Sequence, residues 1–324
     1  MNVRRRLISA SAVSAATALG LGALSACSSD SAATGNTDKF DVVASFYPMA
    51  FLAEQIGGGH ANVTSLTEPG QEPHDLEIST KQRAQLEEAD AALYLKGLQP
   101  AVDEAVSQTG VKTKIDAATL TTLEDHGNTE HDHGGEEGHA EEEGHSEEAE
   151  HARDPHIWLD PVKYAEVAQG VGKAFEKADP DHAADYKKNT AVLVQKLNGL
   201  NGDFENGLKD TKTKVFFTNH AAFGYLAERY GLTQEAISGL DPESEPSAAR
   251  VRELQQEAKA DGVTTVFYET LVSDKTAKTL ARDAKLKTDV LDPLEGITDK
   301  SRGDDYFQVM EANLKALQTA LGAK

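Results

Sequence analysis

Asp41-Val42-Val43-Ala44-Ser45-Phe46 is an apolar run of strand length, and residues 48–56 follow it with helical spacing until Gly57-Gly58-Gly59 stops them. The pair reads as a buried strand feeding a helix. The same order recurs downstream. Residues 62–66 read as a second strand, and a Pro- and Gly-bearing loop spans 68–75. Ser79 is placed to cap a helix through Glu88, residues 91–95 read as a third strand, and 100–107 as a helix. A βαβα rhythm predicts a parallel sheet covered by helices, with any site built from loops at the strand ends.

The second half keeps the rhythm. Pro161 marks a helix start with Asp160 as its N-cap, running to about residue 178. Asp179-Pro180-Asp181 starts another, whose apolar positions Tyr186, Val192, Leu193, Leu197, Leu200, Phe204 and Leu208 keep helical spacing. About 28 residues at 1.5 Å each give about 40 Å, longer than one small domain needs. This element therefore reads as a single helix spanning two lobes. Strands are expected at 215–218, 234–238, 264–268 and 288–291, with helices at 221–230, 247–260, 274–284 and 306–321. The fold class is α/β, with two lobes, each a mainly parallel sheet flanked by helices, joined by one long rigid helix. The expected boundaries are 40–180 for the first lobe, 181–210 for the linking helix and 211–324 for the second lobe.

Residues 1–26 belong to neither lobe. Arg4-Arg5-Arg6 followed by a short apolar and small-residue stretch reads as a signal peptide. Leu24-Ser25-Ala26-Cys27 resembles a bacterial lipobox, which implies cleavage before Cys27 and lipidation of its thiol and new amino terminus. Cys27 is the only cysteine, so neither a disulfide nor a cysteine metal ligand is available. Residues 27–39 then read as a flexible tether. An extracytoplasmic, membrane-anchored monomer is expected. Loss of the three arginines takes the net charge from -22 to about -25, which argues against nucleic acid as a partner and suits the attraction of cations.

The loop at 124–151 carries 12 acidic residues and no Lys or Arg. It also holds His126, His131, His133, His139, His145 and His151. Such a run cannot bury a core, and its imidazoles and carboxylates suit loose capture of zinc, copper or nickel. A merely solvating acidic linker is the weaker reading for six histidines in 26 residues.

Four further positions lie just after a strand or at a loop end, where α/β folds build sites: His74, His156, His220 and Asp292. Each alone has a bland reading, as a surface histidine or an Asp capping a turn before proline. For His60 and His182, in turn-like contexts, the bland reading is preferred. Together with their neighbours the four resemble a family, the zinc- and manganese-binding lipoproteins of metal ABC transporters, the ZnuA and TroA type. The resemblance covers about residues 40–321. It rests on Ser45-Phe46-Tyr47-Pro48, Pro73-His74-Asp75, Ala89-Asp90-Ala91 and Asp154-Pro155-His156-Ile157-Trp158-Leu159. It continues with Asn219-His220-Ala221-Ala222-Phe223-Gly224-Tyr225, Phe267-Tyr268-Glu269 and Leu291-Asp292-Pro293-Leu294.

The resemblance implies two lobes joined by one long helix with the metal between them. It places ligands at His74 and His156 in the first lobe and at His220 and Asp292 in the second, with Glu269 or a water as alternatives to Asp292. The histidine-rich insert before His156 is as in zinc-binding members, whereas some manganese-binding relatives carry Glu in place of His220 and lack the insert. The implied function is capture of Zn²⁺ outside the cytoplasm and delivery to an ABC transporter permease. Chemistry agrees, because three His and one carboxylate suit tetrahedral Zn²⁺, while Mn²⁺ prefers more oxygen donors. Two other classes compete: an adhesin, and an exported zinc hydrolase, for which the chain lacks His-Glu-x-x-His.

Overall fold

A computed structural model describes residues 39–126 and 153–323. The signal segment, Cys27, the tether up to residue 38 and His131, His133, His139, His145 and His151 lie outside the described residues. The first sheet contains β1 (Phe40–Ala44), β2 (Ala61–Ser65), β3 (Ala91–Tyr94) and β4 (Thr113–Asp116), all parallel, in the order β2-β1-β3-β4. The second contains β5 (Val215–Thr218), β6 (Thr233–Ala236), β7 (Thr265–Tyr268) and β8 (Lys287–Val290) in the matching order β6-β5-β7-β8. In each sheet the chain order reverses beside the first strand, and ligands of open α/β sheets bind in the crevice at such a switch point.

Helices α1 (Tyr47–Gly57), α2 (Thr80–Glu88) and α3 (Pro100–Gln108) alternate with the first four strands. α4 (Pro161–Ala178) and α5 (Ala183–Leu208) follow, and α6 (Gly224–Arg229), α7 (Ala248–Ala260), α8 (Lys275–Ala284) and α9 (Tyr306–Leu321) accompany the second sheet. The starts obey capping chemistry. Ser79 and Gln82 form a reciprocal capping box on α2, and Asp160 Oδ1 accepts the Val162 N–H at 2.8 Å at the start of α4. β4 escapes sequence reading because only Ile115 of Thr113-Lys114-Ile115-Asp116 is buried. An edge strand with one covered side chain carries almost no apolar signature.

The linking helix starts later than expected. Pro180–His182 forms a 3₁₀ turn, and α5 proper runs 26 residues from Ala183, about 39 Å at 1.5 Å per residue. Gly199 and Gly202 do not break it, although each costs about 1 kcal/mol relative to Ala. The buried stripe Tyr186, Thr190, Leu193, Leu197, Leu200, Phe204, Leu208 outweighs that cost. This face packs on α1 and α4 of the first lobe and on α9 of the second.

One apolar cluster runs through both lobes, from Phe40 to Leu321, and each sheet has a smaller cluster of its own on the other face. Trp158, Tyr164 and Tyr306 are fully buried within the shared cluster. Direct bonds cross between lobes as well: Trp158 Nε1 donates to the Pro293 carbonyl at 2.7 Å, and the Tyr306 hydroxyl to the Trp158 carbonyl at 2.7 Å. Among the described residues no helix is long and apolar enough to cross a membrane.

Candidate metal centre

Four side chains converge between the sheets. His74 sits in the loop after β2, where Glu72 accepts the His74 and Asp75 backbone N–H groups at 3.1 Å each and pins the turn. His156 precedes a 3₁₀ turn, Ile157–Leu159, that leads into α4. His220 follows β5 directly, and Glu295 follows β8. One ligating atom from each of the four lies within 4.8 Å of every other. Glu295 Oε1 is 3.2 Å from His74 Nε2, 3.2 Å from His156 Nε2 and 3.5 Å from His220 Nε2. A tetrahedral zinc site with bonds of about 2.0–2.1 Å has ligand-to-ligand edges of about 3.3–3.4 Å. The observed separations straddle that figure.

The imidazoles are fixed from behind. Asp154 Oδ1 lies 2.7 Å from His156 Nδ1 and also accepts the His156 backbone N–H at 2.9 Å. Glu269 Oε1 lies 2.8 Å from His220 Nδ1 and accepts from Asn219 Nδ2 at 3.1 Å. An ionised carboxylate can only accept, so both Nδ1 atoms carry hydrogen and both Nε2 atoms face the common point. The His220 Nε2 and Glu295 Oε2 atoms are buried without a hydrogen-bond partner, which suits atoms that would ligate a cation. His156, His220 and Glu295 are buried, and the His74 side chain, 12% exposed, is the most solvent-accessible of the four.

The fourth side chain of this candidate group is Glu295, not the expected Asp292. Asp292 Oδ1 accepts the Leu294 N–H at 2.9 Å, and Oδ2 accepts from Ser301 Oγ at 2.9 Å and Thr270 Oγ1 at 3.4 Å. Its carboxylate is therefore occupied in shaping the turn, and Asn313 clamps its backbone from both sides. Leu294 takes a left-handed φ of 59°, rare for a side chain of its size, and that bend swings Glu295 into the cleft. Glu269, the alternative weighed for this position, lies behind His220 instead. Sequence reasoning missed Glu295. The available signal was a second acid in the loop after the last strand, followed by Gly296. His60 and His182 lie outside the group, each paired with an Asp on or just before the linking helix, Asp185 and Asp179.

Burial disfavours charge on His156, but hydrogen bonds to Asp154 and Glu295 outweigh it and raise its pKa above the ordinary value. His220 is likewise penalised by burial yet raised well above the ordinary value by Glu269 and Glu295. Burial alone would raise Glu295, and the three histidines instead hold it well below the usual carboxylate range. Asp292 goes the other way, pushed up chiefly by burial.

Three imidazoles and one carboxylate converging at these separations are the donor set of a zinc site. Over residues 42–320 the chain matches the family of the zinc-uptake complex component A, periplasmic. The chain belongs to that family. It is 38% identical over 305 residues to the zinc-binding lipoprotein AdcA of Streptococcus pneumoniae, across 91% of this chain and 58% of that protein. It thus spans little more than half the length of such relatives. It is 35% identical over 321 residues to the high-affinity zinc uptake system protein ZnuA of Bacillus subtilis, across 94% of this chain and 98% of that one. Among solved structures, the Zn(II)-bound ZnuA-like domain of Streptococcus pneumoniae AdcA superposes with a TM-score of 0.71 at 34% identity, covering 87% of this chain and 99% of that one. Both the family and the two-lobe parallel-sheet fold agree with the resemblance read from the motifs.

Proposed function

We propose that this chain is an extracytoplasmic zinc carrier: it takes Zn²⁺ between its lobes through His74, His156, His220 and Glu295 and delivers it to an ABC transporter permease, without enzymatic activity. The carrying observation is the convergence of three Nε2 atoms on Glu295 Oε1 at 3.2, 3.2 and 3.5 Å. Charge balance supports the reading. Zinc takes neutral imidazoles, so the dication replaces protons beside the buried Asp154, Glu269 and Glu295 carboxylates, which offsets part of the cost of burying it.

Four protein donors fill a tetrahedral shell, whereas a catalytic zinc needs an open position for water. That favours carriage over hydrolysis. The greater exposure of His74 makes its side of the cleft the entry and exit. The shared apolar cluster and the bonds from Trp158 and Tyr306 across the lobes favour a small change between loaded and empty forms. Lipidation of Cys27 would keep the carrier beside its permease. Zinc analysis and competition titration of the purified full chain test the reading: one tight equivalent of zinc preferred over manganese is expected, and equal or tighter manganese binding would overturn it.

A further inference from the structure

The short helix α6 follows β5 of the second lobe, yet two of its side chains bind the first. The Tyr225 hydroxyl accepts the Glu124 N–H and donates to the Asp154 carbonyl, both at 2.8 Å. One helical turn on, on the same face, Arg229 Nε and Nη2 donate to Asp160 Oδ2 at 2.9 and 2.6 Å. Asp154 and Asp160 bracket Pro155-His156-Ile157-Trp158-Leu159, all of it buried. At the other end, only the buried stretch Ala221-Ala222-Phe223 separates His220 from α6. We infer that Tyr225 and Arg229 are positioning residues for the metal cage: they clamp both ends of the segment that carries His156 to the helix that carries His220. Held this way, the two imidazoles stand 5.4 Å apart, centroid to centroid, and the clamp sets how slowly zinc leaves. The inference rests on the cage proposed above, in which both histidines are ligands.

The seat of the helix is tight. A Cβ at Gly224 would come within 2.9 Å of Asp154 Oδ2, so glycine at the start of α6 lets the helix lie directly against the carboxylate that orients His156. Just past its end, the Tyr230 ring stacks on Phe204 at 5.2 Å and its hydroxyl donates to Asn201 Oδ1 at 3.1 Å, which ties α6 to the linking helix. Asp160 is 1% exposed, so its bonds to the guanidinium are charge-assisted and shielded on the carboxylate side, unlike those of an ordinary surface pair. Its other oxygen caps α4, so one carboxylate fixes both the helix that follows His156 and the contact with α6. Zinc keeps all its donors only while His156 and His220 are held together, so a looser clamp shortens the bound lifetime. Neither Tyr225 nor Arg229 bonds to the His74 loop, so capture from that side should change little.

Stopped-flow mixing of the zinc-loaded full chain with excess chromophoric chelator, carried to the limit where the rate no longer depends on chelator, reads release. Arg229→Met and Tyr225→Phe should each speed release by about 10-fold or more, the scale on which losing a partner behind a metal ligand acts. The capture rate should stay close to the parent's. Arg229→Lys keeps the charge but not the two-pronged contact, so its release should fall between the parent and Arg229→Met. Asp160→Asn combined with Arg229→Met should release no faster than the more affected single variant, because both remove one interaction. If Arg229→Met does not fold, Tyr225→Phe, which deletes a single hydroxyl, decides. Release unchanged from the parent, even with a lowered melting temperature, would make these contacts merely structural and overturn the inference. A parent chain that retains no zinc would instead count against the cage itself, so the two failures are distinguishable.

Discussion

Replacing His220 with Ala removes one of the four proposed donors and leaves Glu269 and Glu295 facing each other across the gap. Zinc held by four protein ligands is worth about 10–16 kcal/mol, or about 2.5–4 kcal/mol per donor, so His220→Ala should weaken zinc by about 10²- to 10³-fold. Glu269→Gln is the informative companion. It keeps Nε2 in the cage but exchanges the carboxylate behind Nδ1 for an amide, and loss of such an outer partner costs about 10–100-fold. The expected order is therefore parent, then Glu269→Gln, then His220→Ala. Competition against a chromophoric chelator measures all three on one scale. Removal of a cationic partner from buried carboxylates costs about 3–5 kcal/mol of fold stability, so melting curves of the metal-free proteins should accompany the titration. An affinity for His220→Ala equal to the parent's, or a larger loss from Glu269→Gln than from His220→Ala, would refute the ligand assignment.

Proton linkage gives the next expectation. Since His156 and His220 sit above their ordinary values, zinc uptake near neutral pH should release protons, and as pH is lowered affinity should begin to fall before the ordinary imidazole value of about 6.5 is reached. Calorimetry in buffers of different ionisation enthalpy reads the number, and a value of zero at pH 7 would contradict it. For the metal-free fold the signs are opposed. Raised histidines stabilise it below about pH 6.5 and lose that contribution as pH rises through their folded values. The depressed Glu295 stabilises it above about pH 4.3 and loses that as pH falls through its folded value. From this cluster the metal-free melting temperature should be highest between those limits, and a steady rise from pH 6 to 8 would be the wrong result. Asp292→Asn should weaken zinc less than His220→Ala because it loosens the turn under Glu295 without removing a donor; an equal loss by competition titration would restore Asp292 to the shell. Deletion of residues 128–150 should spare the tight equivalent. A cut beginning at Glu124 should not, because Glu124 O accepts the Asp154 N–H at 2.9 Å and so braces the carboxylate behind His156.

The sequence by itself determined the alternation of strands and helices, the helix starts at Ser79, Asp160 and Ser247, and three of the four converging side chains. These are local matters: apolar runs of strand length, caps that satisfy the first N–H groups, and histidines just beyond strand ends. Edge strand β4 and the late start of α5 were hidden because one buried side chain, or a 3₁₀ turn after proline, leaves little periodic trace. The exchange of Asp292 for Glu295 lay beyond local reading. Both acids follow the same strand, and only the Leu294 bend, the Asn313 clamp and the bond from Trp158 to Pro293 decide which carboxylate enters the cleft. His126 gives the same lesson. Composition made it one of six loop histidines, whereas the fold sets it against Asp154, Tyr225 and Glu228, contacts made across 28, 99 and 102 residues of chain. Ligand identity is fixed by which groups the two lobes bring together at about 3 Å, and that distance is a property of packing between distant segments.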